Sequence, residues 1–198
     1  MANKTYQELL TKHHSDRLIA RKSAGWFAGQ VRQLTGKITP TMALRNAAEQ
    51  QNMLFNRPRI GFMYLYGYDP KTKDKLPYFD RFPLVLPFAP AVGGFMGLNL
   101  HYIPHQLRAQ LLDRLLAYRN NDRMNETTKI QLSYELLSNT SKLKMFEPCV
   151  KRYLNAHVMT KYMMVPANDW FTVIMMPLER FVGANSATVH RDSVKRIR

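Results

Sequence analysis

Apolar and polar positions change their period twice along this chain, and each change marks a different kind of element. In residues 1–58 the apolar groups are short: Tyr6, Leu9 and Leu10 fall at helical spacing behind Thr5, and Ala24, Trp26, Phe27 and Val31 form a second group. Thr39-Pro40 opens a third through Met42, Leu44 and Ala47, with Pro40 at the first helical position, where its missing N–H does no harm. Gly25, Gly29 and Gly36 punctuate the stretch, and nothing in it has the long period of an independent bundle. It reads as a partly helical arm that wraps a core or a partner, or orders on binding.

From Ile60 the period falls to two. Ile60 to Tyr66 is rich in strand formers, and Asp69-Pro70-Lys71-Thr72 is a turn in which Pro70 fixes φ. Leu84 to Phe88 predicts a second strand, which Pro83 and Pro87 restrict to an edge or a short length. After a Gly93-Gly94 turn, Phe95 to Tyr102 predicts a third, with Met96, Leu98, Leu100 and Tyr102 facing the core. Three strands with tight turns predict a small SH3-like β-barrel or a strongly bent antiparallel sheet.

Beyond Pro104 the period lengthens again. Leu107, Leu111 and Leu115, reinforced by Leu112 and Leu116, predict a helix docked by one face, with Arg108, Asp113 and Arg114 largely off that stripe. Asn125 to Asn139 predicts another helix, and Pro148 opens a third through Val150, Tyr153 and Leu154. Val158 to Val165 reads as a strand, and Trp170 to Met176 as either a strand or a short helix. Gly183 to Arg198 predicts an exposed basic extension. The fold class is α+β: a basic arm (1–58), a compact domain with packed helices (59–182) and a basic tail (183–198).

Charge sharpens this picture. The 198 residues carry 29 Lys and Arg against 14 Asp and Glu, a net +15, with 45% hydrophobic and 11% aromatic residues. That apolar share supports a core, and the imbalance makes a polyanion the first partner to consider. The excess lies in the flanks, +6 over residues 1–58 and +7 over 105–198, against +2 between them. No run of about 18 apolar residues and no signal-peptide core occurs, so neither a membrane span nor export by that route is expected. A single cysteine, Cys149, excludes an internal disulfide and a thiolate metal cluster.

Catalytic patterns are poor by comparison. His101 and His105 are four apart, yet Pro104 separates a strand end from a helix start, and His13-His14 has no third ligand nearby. A metal-dependent nuclease needs converging carboxylates, whereas Asp69 precedes a turn proline, Asp74 sits between Lys73 and Lys75, and Asp80 precedes Arg81. Cys149 has no identifiable base, and no phosphate-cradling lysine motif or dinucleotide fingerprint is present, so no catalytic residue, metal or cofactor is expected. Binding remains. Lys71, Lys73, Lys75 and Arg81 surround Tyr68, Tyr78 and Phe79, a mixture that neutralises phosphates and offers aromatic faces to unpaired bases. A second basic group runs through Lys142, Lys144, Lys151, Arg152 and Lys161, and the tail adds Arg191, Lys195 and Arg196.

The same residues resemble a known family. Tyr68-Asp69-Pro70-Lys71, Leu76-Pro77-Tyr78-Phe79-Asp80, Pro83-Leu84, Gly97-Leu98-Asn99-Leu100-His101-Tyr102 and Leu107-Arg108 are similar to the DNA end protector family of T4-like tailed bacteriophages. Cys149-Val150-Lys151-Arg152-Tyr153-Leu154, Pro166, Trp170, Pro177 and Glu179-Arg180-Phe181 extend the likeness, which covers roughly residues 58–198 and reaches the arm only in basic character. The resemblance implies a non-enzymatic minor virion protein, present in the host cytoplasm during assembly, that joins the filled head and shields the genome terminus from host exonuclease. DNA and other virion proteins would be its partners. The other reading is a phage neck or baseplate protein acting through protein contacts.

Overall fold

The computed structural model describes residues 52–119 and 135–197. The predicted pieces of the arm, His13-His14 and most of the predicted 125–139 helix lie outside them. Among the described residues the chain builds an open six-stranded sheet from Leu54–Phe55 (β1), Met63–Leu65 (β2), Leu84–Ala91 (β4), Gly94–Asn99 (β5), Val150–Leu154 (β6) and Tyr162–Val165 (β7). Their order is β1-β7-β2-β4-β5-β6 and each pairing is antiparallel. Phe79–Asp80 (β3) and Phe181–Val182 (β8) form a separate two-stranded ribbon.

The fold is therefore α+β, but the SH3-like barrel does not occur. β1 and β6 end the sheet as edges without closing on each other, and one face is buried under helices. These are His105–Arg119 (α1), Trp170–Met175 (α2) and Ser186–Ile197 (α3), with further helical turns at 135–141. The arm is likewise not seen in the predicted form, since β1, within residues 1–58, is a sheet strand paired with β7. The C-terminal segment, expected as an exposed extension, is α3, which buries Val189 and Ser193; the Ser193 hydroxyl donates to the Tyr102 carbonyl at 2.6 Å.

The period-two pattern serves two cores. Met63, Leu65, Leu84, Leu86, Leu98 and Leu100 point to the helix-covered face, each contributing roughly 1.5–3 kcal/mol through burial. The intervening Tyr64, Tyr66, Val85, Phe95, Tyr153 and Tyr162 build an aromatic layer on the other face. Within it the Tyr66 ring lies edge-on to Tyr162 at 4.8 Å and to Tyr153 at 5.6 Å, an arrangement worth more than area burial alone. Both faces are covered, so apolar residues occupy consecutive strand positions.

Two local expectations change, and one open alternative is decided. β4 is central and eight residues long despite Pro87. Along β4, β2 pairs only with Leu84 and Val85, so no strand needs a donor from Pro87 on that side, and a bulge follows between Pro87 and Ala89. The helix expected after Pro148 is strand β6, preceded by a 3-10 turn at Lys144–Cys149. Trp170–Met175 resolves as helix, with the Trp170 indole N–H donating to the Val165 carbonyl at 2.9 Å.

Candidate nucleic-acid interface

β6 is an edge strand, and its register places its side chains. Val150 and Arg152 lie opposite Leu98 and Met96 on the helix-covered face, whereas Lys151 and Tyr153 lie opposite Gly97 and Phe95 on the aromatic face. Gly94 lets β6 approach: a Cβ there would sit 1.8 Å from the Tyr153 carbonyl oxygen. Beside this edge runs the loop from Pro70 to Phe79, whose turn is closed by Lys73 N–H donating to the Pro70 carbonyl at 3.2 Å. Between edge and loop opens a cleft of about 540 Å³. Lys151 to Leu154 form one wall, Pro70 to Thr72 with Leu76 and Phe79 the other, and Asp80, Asn99 and Tyr102 also line it.

This cleft brings Lys71, from the first of the two basic groups read in the sequence, together with Lys151 and Arg152 from the second. The Lys151 ammonium sits 4.2 Å from the centroid of the Tyr102 ring, a cation–π contact, and no carboxylate pairs with it among the described residues. Burial, then the positive charge of Arg196, push its pKa below the ordinary lysine value. Arg152 is exposed and donates from Nη2 to the Val92 carbonyl at 2.7 Å.

Asp80 also lines this cleft, and four donors hold its oxygens. Oδ1 accepts from the Phe82 and Arg180 amides at 3.0 and 3.2 Å, and Oδ2 from Asn99 Nδ2 at 3.3 Å and His101 Nδ1 at 2.7 Å. Burial alone would raise its pKa; the His101 contact and the backbone donors outweigh burial and hold the carboxyl below its ordinary value.

The remaining cations are dispersed. Lys73 and Arg81 line a second cleft of about 420 Å³, where Lys73 pairs with Asp69 at 2.9 Å. Lys161 lines a third of about 490 Å³ together with Arg57, which the sequence reading passed over. Lys75, Lys142, Lys144, Arg191, Lys195 and Arg196 are exposed. Of all the proposed contact residues, Lys73 alone pairs with a carboxylate among the described residues.

Sequence reasoning missed the polar network behind the cleft. Arg108, expected off the packed stripe, is fully buried. Its Nε donates to the Ile103 carbonyl at 2.9 Å, Nη1 to the Ile174 carbonyl at 2.8 Å, and Nη2 to Glu179 Oε1 at 2.6 Å. Burial raises the Glu179 pKa, but the Arg108 guanidinium more than offsets it and the carboxyl lies below its ordinary value. His190 Nε2 donates to the His101 carbonyl at 2.9 Å. His105, half-buried beside this cation, is pushed down to about 4 by burial and then by the Arg108 charge. The network ties α1 to the chain before α3 and, through His190, ties α3 to the His101 carbonyl.

The catalytic candidates acquire structural surroundings. Cys149 is buried, its thiol donating to the Phe146 carbonyl at 2.9 Å, and burial pushes its pKa up to about 12, so it is not a thiolate. Asp69 and Asp80 line different clefts. Among the described residues no three His, Cys, Asp or Glu form a metal-holding group, and no helix is long and apolar enough to cross a membrane.

A family model described as the phage T4 terminal DNA protecting protein matches residues 13–194. The chain belongs to that family, and the match takes in most of the basic N-terminal segment as well as the sheet and helices. Membership fits a virion protein with DNA as its partner and does not favour the neck or baseplate reading. No curated protein and no solved structure matches the chain.

Proposed function

We propose that this member of the terminal DNA protecting family shields DNA ends without enzymatic action, by covering them with the cations around the β6 edge and the Pro70–Phe79 loop. The carrying observation is that Lys71, Lys151 and Arg152 line one cleft and none is spent on a carboxylate among the described residues. Free cations beside a nucleic-acid backbone release its condensed counterions, which drives binding without reading sequence. Lys142, Lys144, Lys161, Arg191, Lys195 and Arg196 extend the positive field, which draws DNA in from a distance. Lys75 and Arg81 add to it on the loop side, and Lys73 contributes less because Asp69 screens it. The protein acts in the virion, having passed through the host cytoplasm during assembly.

The test is a salt titration of the full chain on linear duplex DNA. Neutralising about six phosphates lowers log affinity with a slope near −5 against log salt. A slope near zero contradicts phosphate-driven binding.

A further inference from the structure

We infer that the cleft between the β6 edge and the Pro70–Phe79 loop is a phosphomonoester site that takes the phosphorylated terminal nucleotide of a DNA strand, and so distinguishes an end from the interior. The inference rests on the DNA-end reading and adds what the end offers. An internal phosphodiester carries one negative charge and chain on both sides. A terminal phosphomonoester carries about −1.5 to −2 with three acceptor oxygens at neutral pH, and its one-sided chain can enter a pocket. At about 540 Å³ the cleft falls within the roughly 300–1,000 Å³ range of small-molecule pockets.

Its lining matches such a group. Lys71 on the loop and Lys151 on the strand edge provide cationic donors, and Arg152 also lines the cleft, its Nη2 held by the Val92 carbonyl at 2.7 Å. Lys151 is the informative one. Its stem is half-buried, its ammonium rests on the Tyr102 ring, and no carboxylate satisfies it among the described residues. An ammonium resting on an aromatic face with no carboxylate partner keeps donors for an incoming phosphate oxygen, a charge-assisted contact. Asp80, the one carboxylate in the lining, sets one negative charge against the three cations and leaves the cleft net positive, and four donors hold its oxygens in place. Leu76 and Phe79 give the loop wall an apolar surface for the attached sugar and base. The generic field of the distal cations acts on any stretch of duplex, whereas this pocket needs a strand that stops.

The test compares binding of the full chain to one short blunt duplex with 5′-phosphate, 3′-phosphate or unphosphorylated ends, and repeats it with Lys151→Met and Lys151→Arg, melting curves being recorded for each variant. Unphosphorylated ends are expected to bind about tenfold more weakly, the loss of a charge-assisted contact. The arm that gains identifies the phosphate position. Lys151→Met should erase the difference while its melting curve stays cooperative, and Lys151→Arg should keep part of it. Lys142→Gln with Lys144→Gln should weaken all duplexes equally. Equal affinity for the three ends overturns the inference and leaves end binding standing, as does a phosphate preference that survives Lys151→Met. Failure to bind any linear duplex overturns both readings.

Discussion

Arg108 and Glu179 show what a single buried charge does in this molecule. The guanidinium is fully buried, and its donors go to Glu179 and to backbone carbonyls that would otherwise face apolar surroundings. Removing one partner of such a pair leaves the other charge buried without compensation, at a cost of about 3–5 kcal/mol. Arg108→Met should therefore lower stability by that amount in urea unfolding, and adding Glu179→Met should recover a substantial part. A loss below 1 kcal/mol would show the pair to be solvated. The signal for this burial was in the sequence: Arg108 stands three and four residues before Leu111 and Leu112, on the same helical face. Its charged partner was not legible, because Glu179 lies 71 residues away.

Strand β6 is an element whose local pattern and tertiary setting disagree. Val150, Tyr153 and Leu154 have helical spacing, yet five residues are too few for periodicity to choose between helix and strand. The partner decides: β5 carries Gly94 and Gly97 opposite Leu154 and Lys151, so its backbone accepts a close neighbour. Gly97 has a second neighbour that fixes it, since a Cβ there would lie 2.3 Å from Val85 Cγ1. Gly97→Ala should cost about 1–3 kcal/mol by overpacking, and Val85→Ala in the same chain should relieve part of it; a thermal melt of the single and double variants checks both. An unchanged melting temperature for Gly97→Ala would show that Val85 yields freely. The hairpin of β4 and β5 and helix α1 were legible from turn glycines, alternation and the leucine stripe. That the sheet stays open was not, because its edges are set by where distant β1, β6 and β7 pair.

Across the whole molecule, net charge and family agree on a polyanion partner, and the structure adds where the charge is free to act. Lys71 and Lys151 are 80 positions apart in sequence, and only the folding of the loop against the β6 edge makes them walls of one cleft. That juxtaposition had no sequence signal beyond basic character. The central claim is that these cations hold a DNA terminus and deny it to nucleases, which an exonuclease digestion of linear duplex with the full chain tests most directly, run with and without excess circular DNA as competitor. The account predicts that the linear molecule stays intact and that circles displace the protein poorly. Digestion at the rate of naked DNA, or protection lost in proportion to added circles, would contradict it.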